Sequence, residues 1–95
     1  QVQSAITKAK PACVINATAY TAVDRAQSEK ALAFAVNRDG PAFLAEECAL
    51  LDIPLIHIST DYVFDGLKST AYVESDETNP INVYGASKAG GEQAI

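Results

Sequence analysis

Residues 54–59 read Pro-Leu-Ile-His-Ile-Ser, and Thr60 and Asp61 follow at once. A short apolar run rich in branched side chains, opened by proline and closed by polar residues, is a strand pattern. It does not alternate cleanly with polar residues, so it predicts a strand buried on both faces, as in parallel sheets. A second such run stands upstream at 12–17, Ala-Cys-Val-Ile-Asn-Ala. Between the two, Leu32, Ala35, Val36, Leu44, Cys48 and Leu51 recur at helical spacing within residues 29–51. Strands alternating with helices predict an α/β fold with a parallel sheet covered on both faces.

Outward from this core the pattern continues. Residues 2–10 read as the last turns of an amphipathic helix, stopped by Pro11. Asp24 followed by Gln27 resembles a capping box and predicts a short helical turn. Gly40-Pro41 interrupts the long helical stretch, and a proline there removes a hydrogen bond and predicts a kink. Residues 60–81 form a long polar connector, a length that is often functional. Residues 82–95 read as a helix. The order is α-β-α-β-loop-α. The chain opens on Gln1 inside one helix and stops at Ile95 inside another, without a Gly or Asn cap. The expectation is a central piece of a longer domain, truncated at both ends.

Ninety-five residues allow one small domain with a thin stability margin. The formal net charge of -5 argues against nucleic acid or an anionic membrane as partner, and the seven basic residues are scattered. No apolar run approaches the roughly 18 residues of a membrane span. Cys13 and Cys48 read as small buried hydrophobes rather than a disulfide, and no CxxC or metal-ligand cluster occurs. A reducing cytoplasm fits this composition.

In parallel sheets, ligands bind beyond the carboxyl ends of the strands. Here those ends are Asn16 to Thr21 and Ser59 to Phe64. Tyr84-Gly-Ala-Ser-Lys88 places a phenol and an ammonium on one helix face. A nearby ammonium favours the phenolate, which makes tyrosine usable as an acid or base. Alone the spacing is weak, and a solvated surface pair is the commoner reading of it. The hydroxyls of Ser59 and Thr60 at a strand end strengthen it, because a hydroxyl there can bond a substrate oxygen that gains charge. They also suit an ST-turn or a cap. Asn16-Ala-Thr-Ala19 offers small residues for close ligand approach, or a tight strand exit. His57, the only histidine, reads as a packed core residue. Asp65-Gly66 marks a turn, and Glu74 to Glu77 reads as a solvated acidic run. Tyr62 and Phe64 suit either core or a substrate wall.

Several of these segments together resemble the dTDP-4-dehydrorhamnose reductase family, within the extended short-chain dehydrogenase/reductase superfamily. They are Ile58-Ser-Thr-Asp-Tyr-Val-Phe-Asp-Gly66, Asn79-Pro-Ile-Asn-Val-Tyr-Gly-Ala-Ser-Lys88, and Gly91-Glu-Gln93. Val14-Ile-Asn-Ala-Thr-Ala19, Thr21-Ala-Val-Asp24 and Asn37-Arg-Asp-Gly-Pro41 add to them, as does the separation 84 − 60 = 24 between Thr60 and Tyr84. The resemblance implies a Rossmann-type, doubly wound parallel sheet that binds NADPH or NADH, with a smaller domain for the nucleotide sugar. It implies reduction of the 4-keto group of dTDP-4-dehydro-L-rhamnose to give dTDP-L-rhamnose. By the same resemblance Tyr84 is the general acid, Lys88 supports it and holds the cofactor ribose, and Thr60 bonds the keto oxygen. Asp61 and Tyr62 contact the sugar. Ala17, Ala19, Tyr20, Thr21 and Ile58 line the cofactor. Asn37 is expected to be structural, and a homodimer of the whole protein is left open.

Two positions depart from that pattern. Thr18 stands among the small residues after Asn16, and Gly90 stands where a helix-favouring residue is more usual. Glycine in a helix interior costs about 0.5–1 kcal/mol relative to alanine. None of the five glycines forms a phosphate-cradling turn between strand and helix. The glycine-rich first unit and the sugar domain are therefore expected outside these residues, and the 95 residues alone are expected to be inactive. An epimerase or dehydratase acting on another nucleotide sugar, or a non-catalytic regulatory relative, remains the alternative.

Overall fold

A computed structural model describes residues 1–95. Its centre is a parallel pair of strands, β1 (Val14–Asn16) and β2 (Leu55–His57). Val14 pairs with Leu55, Ile15 with Ile56 and Asn16 with His57. Backbone bonds from Val14 N–H to the Pro54 carbonyl (2.9 Å) and from Ile58 N–H to the Asn16 carbonyl (3.1 Å) extend the ladder at both ends. Both strands are shorter than the apolar runs that predict them. The Asn16 side chain ends β1 by accepting from Thr18 N–H at 3.1 Å, which turns the chain out of the ladder.

Within these residues, one of the two sheet faces expected to be covered is open. Ile15, Ile56 and Ile58 are 66%, 50% and 52% exposed. They share one face, because register partners and alternate residues point the same way. The helices of the chain pack on the opposite face, which carries Asn16 and His57.

Helix α1 (Val2–Ala9) ends where expected, at Lys10 in the left-handed conformation and just before Pro11. Helix α2 (Val23–Ala26) is a single turn, but not through a capping box. Asp24 lies inside it and no side chain caps it. The Gln27 side chain instead accepts from Val83 N–H at 2.6 Å, tying α2 to the last helix.

Helix α3 (Lys30–Phe34) runs through a π-helical turn, Ala35–Asp39, into α4 (Gly40–Leu50). Gly40-Pro41 therefore produces a widened turn. Pro41 has no N–H to offer the carbonyl of Asn37, and Gly40 N–H reaches back five residues to Ala35. The buried stripe is Ala33, Asn37, Pro41 and Cys48. It overlaps the predicted apolar positions only at Cys48. Leu32 and Leu51 are largely exposed, because small residues face the closely packed neighbour helix. Both cysteines are free thiols.

Helix α5 (Val83–Ala94) starts at Asn82, whose Oδ1 accepts from Gly85 N–H at 2.7 Å. Its buried face carries Tyr84, Gly85, Ser87, Lys88, Ala89 and Gly91. The connector before it holds a 3₁₀ turn, Asp61–Val63, and then a self-bonded loop. Asp65 accepts from Leu67 N–H, the Tyr72 hydroxyl and Asn79 Nδ2, and the Phe64 and Tyr72 rings stack at 4.1 Å. The acidic run 74–77 is not wholly solvated, since Asp76 pairs with Lys68 at 2.6 Å. No helix is long and apolar enough to cross a membrane.

Candidate active site

Thr60 leaves the end of β2, while Tyr84 and Lys88 stand one turn apart on α5. The fold brings the two elements together through a close approach. At Gly85 a methyl group would fall inside contact distance of the Tyr62 carbonyl, and 3.1 Å from Pro80 Cβ. Only glycine lets α5 lie this near the 3₁₀ turn. The Tyr62 and Tyr84 rings then meet edge to face, with centroids 5.6 Å apart. Tyr84 is buried among Ala26 and Ala33, with Tyr20, Val23 and Val83 packed around.

Lys88 is 2% exposed. Its Nζ donates to the carbonyl of Ile58 at 2.7 Å, which anchors it at the strand end. Burial holds its ammonium below the usual lysine range, and Glu92 pulls the other way. Thr60 Oγ1 accepts from Tyr62 N–H (3.3 Å), capping the 3₁₀ turn, and donates weakly to Asp61 (3.4 Å). The turn-forming and the site-bearing readings of Thr60 and Asp61 are thus compatible. The Ser59 hydroxyl is engaged differently, donating to the Glu92 carboxylate on α5.

Asn37 is the hub that sequence reading placed only as structural. At 1% exposure, its Oδ1 accepts from Tyr20 N–H (2.8 Å). Its Nδ2 donates to the Tyr20 carbonyl (3.0 Å) and to Ser87 Oγ (2.9 Å). Ser87 in turn donates to the Tyr84 carbonyl at 2.7 Å. One amide therefore fixes the loop after β1 against the helix that carries Tyr84 and Lys88. The available signal was an asparagine four residues before a helix-internal proline. Ser87 and Glu92 lie inside segments that carry the resemblance, without a role assigned to them there.

At the end of β1, Asn16 Nδ2 donates to His57 Nδ1 at 3.2 Å, and Thr18 Oγ1 donates to Asn16 Oδ1 at 2.7 Å. Thr18 is thereby accommodated. With Nδ1 accepting, the His57 proton sits on Nε2, which is buried without a partner. Burial and the Lys88 charge depress the His57 pKa, against an opposing pull from Glu92. Ala17 and Thr21 are exposed and Ala19 and Tyr20 half-buried, alongside the exposed Ile58 side chain. The Tyr20 hydroxyl donates to Glu29, which raises its pKa and lowers that of Glu29. In chemical terms the fold packs together the elements that carry a phenol, a strand-end hydroxyl and a buried ammonium. A phenol so placed can serve as a general acid.

A family model described as RmlD substrate binding domain matches residues 1–95. Over 94 residues the chain is 56% identical to the dTDP-4-dehydrorhamnose reductase of Sinorhizobium fredii, covering 99% of this chain and 32% of that protein. It matches the structure of dTDP-4-dehydrorhamnose reductase from Bacillus anthracis in complex with NADP with a TM-score of 0.96. The identity there is 41%, over 99% of this chain and 34% of that one. A UDP-glucose 4-epimerase from Brucella ovis in complex with NAD gives a TM-score of 0.88 at 25% identity, over 97% of this chain and 29% of that one. The chain spans about a third of the length of the curated relatives it matches. The expected fold class, α/β with part of a Rossmann-type doubly wound parallel sheet, holds.

Proposed function

We propose, since this chain belongs to the RmlD substrate binding domain family, that it is the central part of the NAD(P)-binding domain of a nucleotide-sugar reductase. The whole protein converts dTDP-4-dehydro-L-rhamnose to dTDP-L-rhamnose in the cytoplasm, with NADPH or NADH as reductant. The observation that supports this reading is the close packing of α5, which carries Tyr84 and Lys88, on the strand end and the 3₁₀ turn that flank Thr60. The glycine-rich turn and the sugar-binding domain lie outside these 95 residues.

The residues present fit a dinucleotide. An ammonium has three N–H groups, and only one on Lys88 has a protein partner, the Ile58 carbonyl. A buried cation with spare donors suits ribose hydroxyls as acceptors. Ala17, Ala19, Tyr20, Thr21 and Ile58 line the cofactor in this reading, and the small residues permit a flat ring to approach. When bound, the reduced nicotinamide supplies the hydride that adds to the sugar C4 carbon.

The chain's own side chains then act on the carbonyl oxygen. Thr60 Oγ1 donates a hydrogen bond to it and stabilises the charge that develops there. The Tyr84 hydroxyl transfers its proton to that oxygen, which leaves a phenolate and a neutral alcohol. Lys88, held on Ile58, presents positive charge to that phenolate. Asp61 and Tyr62 orient the sugar from the 3₁₀ turn. The substrate keeps its diphosphate and its carbon skeleton throughout.

The test uses the whole protein with dTDP-4-dehydro-L-rhamnose, following the loss of NADPH absorbance. Tyr84→Phe should lower kcat by about 10²–10⁴-fold while still binding NADPH. Turnover of a different nucleotide sugar in place of this one would favour the epimerase or dehydratase reading. Unimpaired turnover by Tyr84→Phe would remove the proposed general acid.

A further inference from the structure

Two side chains on α5, one turn apart, hold the two residues that precede Thr60. Lys88 Nζ donates to the backbone carbonyl of Ile58 at 2.7 Å. Glu92, four residues on, accepts from the hydroxyl of Ser59. Ile58 is itself secured on the other side by its N–H to the Asn16 carbonyl (3.1 Å). The strand end is therefore gripped at consecutive residues, through its main chain by one side chain and through its side chain by the other. The Ser59 hydroxyl, engaged in this way, is turned to the helix and away from any substrate.

We propose that Glu92 is a positioning residue for the reaction, clamping Ser59 to α5 so that Thr60 stays in fixed register with Tyr84 and Lys88. This rests on the reductase reading above. The geometry favours it over a packing role for two reasons. Glu92 is half-buried beside a buried cation, and its carboxylate is engaged at the strand end. The other titratable group that feels Lys88 is His57 on β2, whose pKa the Lys88 charge lowers. Arg38, which packs on Gly90, is paired with Asp39 at 2.7 Å. Glu92 is thus the one unpaired anion acting on Lys88, and it opposes the effect of burial.

Two substitutions separate the hydrogen bond from the charge. Ser59→Ala removes the bond and leaves the carboxylate. Glu92→Gln keeps an oxygen that can accept from Ser59 and removes the charge. The whole protein, labelled with ¹³C-lysine, is titrated by NMR, with the Lys88 signal assigned by its loss in Lys88→Met. In Glu92→Gln the Lys88 midpoint should move to lower pH. In Ser59→Ala it should stay in place. With dTDP-4-dehydro-L-rhamnose and NADPH, Ser59→Ala should lower kcat by about tenfold with KM for NADPH within about twofold. The alkaline limb of the kcat profile of Glu92→Gln should move with the NMR midpoint. A Lys88 midpoint unmoved in Glu92→Gln, or wild-type kcat in Ser59→Ala, overturns the proposal. If the wild-type protein does not reduce the sugar, the functional reading falls. The NMR titration still decides whether Glu92 holds the charge on Lys88.

Discussion

Neighbouring glycines on α5 should respond to the same substitution with opposite signs. At Gly91 an added methyl would lie under 3.0 Å from the Asn37 carbonyl oxygen, 3.4 Å from its carbon and 3.6 Å from His57 Nε2. The carbonyl cannot swing aside easily, because the Asn37 side chain holds three hydrogen bonds. Forcing a methyl into such a contact costs about 1–3 kcal/mol. The gain in helix propensity returns only about 0.5–1 kcal/mol. Gly91→Ala should therefore lose roughly 1–2 kcal/mol. At Gly90 the nearest atom is Arg38 Cδ, 3.3 Å away on a flexible, half-exposed side chain. That side chain can move, so Gly90→Ala should gain about 0.5 kcal/mol. Denaturant unfolding of both variants beside the parent chain, at equal m-value, measures the difference. The reasoning fails if Gly91→Ala matches or exceeds the parent in stability, or if Gly90→Ala is the less stable of the two.

Asn37→Ala should destabilise the protein by about 2 kcal/mol, because it leaves the half-buried Tyr20 N–H and carbonyl without their protein partner. A midpoint within error of wild type in denaturant unfolding would contradict this. The His57 pKa is depressed in the fold, so the unfolded chain binds the extra proton more readily. Its stabilising effect is complete above the ordinary value of 6.5 and is lost as pH falls below it. The carboxylates with depressed pKa, Glu29, Asp65 and Asp76, titrate at lower pH and leave this window clear. His57→Gln should flatten the loss of stability between about pH 6.5 and 5, and an unchanged slope in urea midpoints across that window would count against the assignment.

What could be read from the chain was local. The two apolar runs fixed the strands and their parallel pairing, and Pro11 marked the end of α1. Tyr84 and Lys88 fell on one face because helical spacing is regular. The long helix was read in the wrong phase because the usual signal is large apolar side chains. Here the packed stripe is Ala33, Asn37, Pro41 and Cys48, and the bulkier Leu32 and Leu51 lie outside it. The apolar strands called for cover on both sheet faces, but hydrophobicity does not show which element supplies it, and the helices described here cover one face. The contacts that assemble the site were illegible because they join residues far apart. Asn37 and Ser87 are 50 positions apart, and Ser59 and Glu92 are 33 apart. No window of sequence holds both members of such a pair.

The same separations bear on the order of assembly. Helix α5 is tied back to Asn37, Ile58 and Ser59 by side chains 50, 30 and 33 residues away. The entropy of closing those loops has to be met before any of the three contacts contributes. α1 through β2 can form turns and pairings as they emerge from the ribosome, but Thr60 gains its register only once residues 83–94 have been made. Until then Asn37 has no helix to grip. Assembly of the candidate site is thus non-local, and damage to its ties should appear as slower refolding.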